Sequence, residues 1–434
     1  MDLVIIAGGK GTRLGLKDMP KPMVEIGGKP LLEHQINLAK QYAINDIHIL
    51  SCHLSEVIID YFGDGRKFGV NISHIIEKSP LGTAGAVKQL ESRLNERFMV
   101  FYGDVFLDVD LKSFIDFDME ADSIANIIVH PNDHPYDSDL VEIDDENMVT
   151  VFHSKPHDEN QYYRNLVNAA VYVVSPDIFK YIPHDKSSDF GKDIFPLILQ
   201  SDKVIRAYKT AEYIKDIGTI ERLKKVSKDM ISGKVKRFSK RYKRPAIFID
   251  RDGTLVEEVD LLHRVEDLEL LSFSASAIKK INNSAYLSFL ITNQPVVARN
   301  LCDTSVIAQI HNKLETLLGR EGAYLNDIYF CPHHPESGYP CENPDFKIDC
   351  NCRKPKTGMI SKAVKEYNVD VESSWVIGDR TTDIQTGKNA GMKTILVRTG
   401  NAGQDRKFEV SPDYIFDNIE DSVDFILSKK QAVS

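Results

Sequence analysis

Phe248-Ile249-Asp250-Arg251-Asp252-Gly253-Thr254-Leu255 decides how the C-terminal half of this chain reads. The apolar residues from Ala246 to Ile249 have the length and composition of a short buried strand. They deliver two carboxylates at its C-terminal end, and Gly253-Thr254 turns the chain away. On an extended chain Asp250 and Asp252 project to the same side and Arg251 to the other. Paired carboxylates at a strand tip suit a divalent cation, an attacking carboxylate and a proton donor. A strand ending in a polar turn would look the same over this stretch alone, so the deciding signal lies downstream.

Leu290-Ile291-Thr292-Asn293 ends an apolar strand with a hydroxyl and an amide. Arg353-Lys354-Pro355 supplies a cation, Trp375-Val376-Ile377-Gly378-Asp379 is a further strand tip carrying an acid, and Asp383 follows on the next turn. In this order the segments resemble the motifs of the haloacid-dehalogenase-type phosphatases, beginning with D-x-D-G-T. The resemblance implies that Asp250 attacks phosphorus and that Asp252 protonates the leaving alcohol and then activates water. Thr292 and Lys354 would hold the phosphoryl oxygens. Asp250, Asp252 and Asp379 would serve Mg²⁺, with Asp383 supporting them. Oxygens that gather charge in the transition state are neutralised by such an ion and by Lys354.

With 434 residues the chain has room for two or three domains, each with its own core. A net charge of −10 argues against a general nucleic-acid binder. No apolar run approaches the roughly 20 residues of a membrane helix, and the start enters a strand directly, without signal-peptide features. A cytoplasmic enzyme is expected.

At the other end, Leu3-Val4-Ile5-Ile6-Ala7 is a buried-strand pattern followed by Gly8-Gly9-Lys10-Gly11-Thr12-Arg13. Glycines let backbone N–H groups approach phosphates, and Lys10 and Arg13 add charge. The spacing fits neither the P-loop nor the dinucleotide fingerprint. Pro20-Lys21-Pro22 and Gly28-Lys29-Pro30-Leu31 then complete a segment that resembles the sugar-nucleotidyltransferase signature. Further resemblances follow in order: Glu77 to Ala86 for the loop facing the base, Gly103-Asp104 for a metal-binding acid, Phe152 to Pro156, Asn168 to Tyr172, and Tyr213 to Thr219. They imply that Ala7, Gly8, Gly9, Gly11, Thr12, Gly82, Thr83 and Asp104 meet the nucleotide. Arg13 and Lys21 would act on the reacting phosphates, Lys155 and Asn168 on the sugar phosphate, and Asp104 and Asp216 on Mg²⁺. Ser154 stands where the family carries an acid.

The C-terminal half carries a second metal signal. Cys331-Pro332-His333 and Cys350-Asn351-Cys352 are two ligand pairs separated by sixteen residues rich in Gly, Pro, Asn and Asp. Cys331, His333, Cys350 and Cys352 make a plausible tetrahedral Zn²⁺ site of structural type. His334 and Cys341 are rival ligands. This loop and the segment around His263 resemble the histidinol-phosphatase-like branch that includes heptose-bisphosphate phosphatases. That likeness implies substrate contacts at His263, Asn293, Arg299 and Arg353.

The expected fold is α/β: two doubly wound Rossmann-like domains, the second without a cap and with a zinc loop. The expected boundaries are 1–230 for nucleotidyl transfer, 231–244 for a basic linker and 245–434 for the phosphatase. Jointly the resemblances imply heptose bisphosphate, heptose 1-phosphate and GTP as small-molecule ligands, with no nucleic-acid or membrane partner. The product would be a GDP-heptose for surface polysaccharide. The alternative is a hexose-1-phosphate nucleotidyltransferase fused to a phosphatase of histidinol phosphate or another small phosphomonoester. Oligomeric state is not legible.

Overall fold

A computed structural model describes residues 1–431 except Lys10, Thr12, Arg13 and Lys17, and excepting the side chains of Lys430 and Gln431. The chain divides into two compact units. One comprises Met1–His130, Ser138–Lys155 and Leu166–Ser239, the other Pro131–Asp137, Pro156–Asn165 and Lys240–Ser434.

In the first unit, β1 (Leu3–Ile6), β2 (Asp46–Ser51), β3 (Asn71–Ile76) and β4 (Phe98–Tyr102) form a run of four parallel strands in a nine-stranded sheet. β1 lies between β2 and β4, with Leu3 opposite both Ile47 and Met99. Leu3 and Ile5 pack into one apolar cluster and Val4 into another. Both faces are therefore covered, which is why the run is apolar throughout rather than alternating. Two further strands, β5 (Val105–Asp108) and β7 (Tyr213–Asp216), pair antiparallel off the main sheet, while β6 (Val167–Val174) pairs antiparallel with β4 inside it. Asp216 lies opposite Val105 across the β5–β7 pair, and Ile217 N–H donates to the Asp104 carbonyl at 3.0 Å. The side chain of Thr219 accepts from the Arg222 N–H and caps the helix Ile220–Ile231.

The second unit holds a six-stranded parallel sheet. Its strands are β8 (Ala246–Ile249), β9 (Leu287–Asn293), β10 (Asp327–Cys331), β11 (Trp375–Gly378), β12 (Lys393–Val397) and β13 (Tyr414–Phe416). The order is β10-β9-β8-β11-β12-β13, so it reverses at β8. All four residues of β8 are fully buried. Between β8 and β9 the chain forms turns and one helix, Ser274–Asn282, with no inserted sheet. Helix α1 (Thr304–Arg320) buries Ile307, Ile310, His311, Leu314, Glu315 and Leu318, the stripe of a core-facing helix. Two of those six are polar. Glu315 accepts from Asn165 N–H at 3.2 Å, and Arg164 pairs with buried Asp327 at 3.2 Å, which ties residues 156–165 into this unit.

Candidate active sites

Reversal of strand order at β8 opens a crevice at the carboxyl ends of β8, β9 and β11. Asp250 follows β8, Thr292 and Asn293 end β9, and Asp379 follows β11. Asp250, Asp379 and Asp383 are all buried and can each place one oxygen within 4.8 Å of the others. Lys354 Nζ donates to Asp250 Oδ1 at 2.7 Å, to Asp383 Oδ1 at 2.6 Å and to the Ile291 carbonyl at 3.0 Å. Arg251 N–H also donates to Asp250 Oδ1, at 2.8 Å, so both donors sit on one oxygen and Oδ2 has neither. Asn293 clamps the backbone of Lys354, giving a bond to its carbonyl at 3.1 Å and accepting its N–H at 3.0 Å.

Three buried acids against one ammonium leave uncompensated negative charge. Burial, then Asp383, pushes Asp250 up to about 7. Burial, then Asp250 and Asp383, pushes Asp379 up to about 8. Burial disfavours the Lys354 ammonium, but Asp250 and Asp383 outweigh it and hold its pKa above the usual lysine value. Asp379 Oδ2 accepts from Asn401 N–H at 2.6 Å, whereas its Oδ1 is buried with no hydrogen-bond partner. An orphaned oxygen among mutually repelling carboxylates is the donor set a hard divalent cation satisfies, so these residues fit Mg²⁺.

A pH dependence follows. A carboxyl whose pKa is raised on folding binds more protons folded than unfolded between its unfolded value and its folded value. Its stabilising contribution is present at low pH and is lost as pH rises through that window. Ion-free protein should therefore lose stability between about pH 4 and pH 8, the span from an unperturbed aspartate to the raised values. Melting temperatures with and without Mg²⁺ should diverge as pH rises; parallel curves would contradict the assignment.

The Asp252 carboxylate lies outside this cluster, which leaves a backbone carbonyl as the group by which that residue would serve Mg²⁺. Arg251 Nε donates to Asp252 Oδ1 at 3.0 Å and Nη2 to Oδ2 at 3.1 Å, and Gln294 Nε2 donates to Oδ2 at 2.9 Å. The expectation that Arg251 points away from the acids is corrected. Extension ends at Ile249, and the N–H groups of Leu255 and Val256 bond to the Arg251 carbonyl at 2.9 and 3.1 Å, making a turn. Gly253 sits in that turn at φ +72°, where a Cβ would come within 2.6 Å of Asp379 Oδ2.

A cavity of about 360 Å³ opens on the cluster, lined among others by Asp250, Asp252, Thr292, Arg299, Arg353 and Lys354. The Arg299 guanidinium lies 3.9 Å from the Tyr339 ring centroid, and Arg353 Nη1 donates to the His333 carbonyl at 2.9 Å. His263 is not among the lining residues; its Nδ1 donates to the Leu261 carbonyl at 2.6 Å. Glu258 and Arg380, which sequence reasoning did not single out, face the cavity as a pair at 2.7 Å.

Cys331, His333, Cys350 and Cys352 come together with one ligand atom each within 4.8 Å. The three sulfurs lie 3.2 to 3.4 Å apart, and His333 Nδ1 is 3.4 Å from Cys352 Sγ. The hydrogen bond from Cys331, opposed by burial and helped by Cys350 and His333, pushes Cys352 down to about 5. The same bond pushes Cys331 up. The shift favours the thiolate at Cys352, the form that binds a borderline-soft ion, and the S₃N set fits Zn²⁺. Neither His334 nor the exposed Cys341 joins the group.

In the first unit Thr12 and Arg13, with Lys10, lie outside the described residues. Ala7, Gly8, Gly9 and Gly11 follow β1, with Ala7 N–H bonded to the Leu50 carbonyl at 2.7 Å. Lys21 Nζ donates to Asp104 Oδ2 at 2.7 Å. Arg222 Nη1 reaches both oxygens of Asp216, at 2.8 and 2.6 Å, a partner that sequence reasoning did not supply. The two carboxylates are 40% and 39% exposed, and the β5–β7 pairing makes them neighbours. Two such acids are the donor set Mg²⁺ takes when phosphate oxygens complete its shell. Gly82 has φ +75°, and a Cβ there would collide with the Ser188 carbonyl. The Thr83 hydroxyl donates to Asp189 at 2.8 Å and accepts from Phe190 N–H at 3.0 Å, so it already braces a neighbouring loop. Asn168 is likewise engaged, by Tyr172 OH at 2.9 Å and Ala170 N–H at 3.1 Å. Lys155 is anchored through its N–H to Asp139 Oδ1 at 3.2 Å.

Residues 3–233, more than half the chain, match the family model for nucleotidyl transferases. The chain belongs to the nucleotidyl transferase family. Residues 351–422 match the model for HAD-hydrolase-like proteins. The D-glycero-D-manno-heptose-1,7-bisphosphate 7-phosphatase of Thermosynechococcus vestitus is 38% identical over 192 residues, covering 42% of this chain and 95% of that protein. The UTP–glucose-1-phosphate uridylyltransferase of Synechocystis sp. is 30% identical over 252 residues, covering 54% of this chain and 65% of that protein. Crystalline HddC from Yersinia pseudotuberculosis is 31% identical, covers 53% of this chain and 99% of its own, and superposes with a TM-score of 0.47. This nucleotidyl transferase therefore also carries a phosphatase of the haloacid-dehalogenase type. Among the described residues no helix is long and apolar enough to cross a membrane.

Proposed function

We propose that the chain makes GDP-D-glycero-α-D-manno-heptose in two steps. Residues 245–434 remove the 7-phosphate of D-glycero-D-manno-heptose 1,7-bisphosphate. Residues 1–230 then transfer GMP from GTP to heptose 1-phosphate and release pyrophosphate, with 231–244 as the connection. The fusion carries the reading. Curated relatives of the second half are heptose-1,7-bisphosphate 7-phosphatases. Loss of the 7-phosphate leaves a sugar 1-phosphate, the acceptor class named for a relative of the first half. The unbridged cysteines accord with a reducing, cytoplasmic setting.

In the phosphatase reaction Asp250 attacks phosphorus through Oδ2, the oxygen without donors, while Lys354 holds Oδ1. The bond from phosphorus to the sugar O7 breaks, and Asp252 gives its proton to that oxygen. Asp252 then takes a proton from water, which attacks the aspartyl-phosphate and releases Asp250. Thr292 and Lys354 face the phosphoryl oxygens. Bound to Asp250, Asp379 and Asp383, Mg²⁺ would supply charge neutralisation for those oxygens.

In the transferase reaction a sugar-phosphate oxygen attacks the α-phosphorus of GTP directly. The chain contributes orientation and charge: Lys21 on the reacting phosphates, Lys155 on the sugar phosphate, and Asp104 and Asp216 as the seat for Mg²⁺. Lys21→Ala should lower nucleotidyl transfer by about 10²- to 10³-fold, the usual cost of one preorganised charge, and leave phosphate release unchanged. Separate assays of the two steps check this.

The whole reading is tested with purified protein, heptose 1,7-bisphosphate, Mg²⁺ and each of the four nucleoside triphosphates, read by mass spectrometry. GDP-heptose formed only with GTP is the expected result. Phosphate release without a nucleotide sugar would remove the heptose acceptor, and no phosphate release would remove the heptose bisphosphate.

A further inference from the structure

We infer that Arg251, held in turn by His311, positions the Asp252 carboxylate for proton transfer in the phosphatase reaction. The inference rests on the acid–base role proposed for Asp252 and adds how that group is aimed.

Arg251 is completely buried. Removing a guanidinium from water costs several kcal/mol unless its donors are paired. Three of its N–H directions are accounted for. Nε and Nη2 grip Asp252 side-on at 3.0 and 3.1 Å, and Nη1 donates to His311 Nε2 at 3.2 Å. A side-on bidentate pair fixes the plane of the carboxylate as well as its position. Gln294 Nε2 adds a second donor to Asp252 Oδ2 at 2.9 Å, so Oδ2 holds two donors and Oδ1 one. Oδ1 is therefore the oxygen with room for the transferred proton. Asp252 keeps 20% of its side chain exposed and lines the cavity. The grip thus holds a group that can meet substrate.

His311 comes from the core-facing stripe of α1, with its ring edge-on to Phe330 at 5.5 Å. Burial, then Arg251 and Arg164, holds its pKa well below the usual histidine value. It stays neutral and can accept from Arg251. A plain packing role would require neither a lone pair aimed at Arg251 nor an acid at the cavity wall on the other side.

Proton donation matters when the leaving group is an alkoxide and little when it is a stable phenolate. The test uses the full chain with His311→Leu, which removes the acceptor, and His311→Gln, which restores one. On heptose 1,7-bisphosphate, His311→Leu should lower kcat about tenfold with KM within twofold, and His311→Gln should recover to within about threefold of wild type. With p-nitrophenyl phosphate in rapid mixing, the nitrophenol burst should be unchanged within about twofold in both variants. Equal losses on the two substrates, a KM rise matching the kcat fall, or His311→Gln behaving like His311→Leu would overturn the inference. If wild-type protein releases no phosphate from heptose bisphosphate, the substrate reading fails by itself, and the same comparison is made on a primary alkyl phosphate that it does hydrolyse.

Discussion

Asp250→Asn should reduce phosphate release by at least about 10⁴-fold, because an amide oxygen cannot form the phospho-enzyme bond and no other group takes over a lost nucleophile. The substitution keeps the volume of the side chain, and Lys354 retains Asp383 at 2.6 Å, so the site should stay folded. Nucleotidyl transfer to supplied heptose 1-phosphate should be unaffected, since the residues assigned to it lie in the other unit. In wild-type protein, rapid quench and mass spectrometry should find one added phosphoryl group on the peptide that contains Asp250. Undiminished phosphate release from the Asn variant would end the nucleophile assignment.

Cys350→Ser with Cys352→Ser should empty the sulfur site and destabilise the phosphatase unit. The loop from His334 to Asp349 has no strand and only one short 3-10 turn, Pro344–Phe346, so little else orders it. If about 4 kcal/mol of metal binding is lost, a unit of this size should melt roughly 8–16 °C lower. Activity should fall further than stability requires. Arg353 and Lys354 follow Cys352 directly, and the Lys354 ammonium must sit within hydrogen-bond reach of Asp250. Calorimetry with elemental zinc analysis provides the check. A wild-type melting temperature unchanged by zinc removal would dismiss a structural metal, whereas loss of phosphatase turnover with nucleotidyl transfer intact would support it.

Much of this is legible in the residues themselves. Ala246–Ile249 and Trp375–Gly378 are apolar without alternation, which marks strands covered on both faces, and each ends in an acid. The paired spacing of Cys331 with His333 and of Cys350 with Cys352 pointed to one metal group, and the four do converge. Local rules failed where their premise failed. Alternation of side chains sends Arg251 away from the acids only while the chain is extended, and the turn at Gly253 removes that condition. His311 carried no signal, because a histidine on an apolar helical stripe reads as core.

Along the chain, apolar runs mark the strand tips and the acids and hydroxyl they bear, Asp250, Asp252, Thr292 and Asp379 in one half and Asp104 and Asp216 in the other, while Lys21 and Lys354 stand outside strands in short proline-flanked motifs. These are local facts, each written in a few neighbouring residues. Their partners come from the packing of the folded chain. It set Asp383 beside Lys354, gave Asp216 to Arg222, withheld Asp252 from the acid cluster, and drew residues 156–165 into the second unit. Such pairings depend on burial, since a buried charge must find a counter-charge or a donor wherever the packed chain brings one within reach. Sequence separation does not govern that choice, and so it cannot be read along the chain.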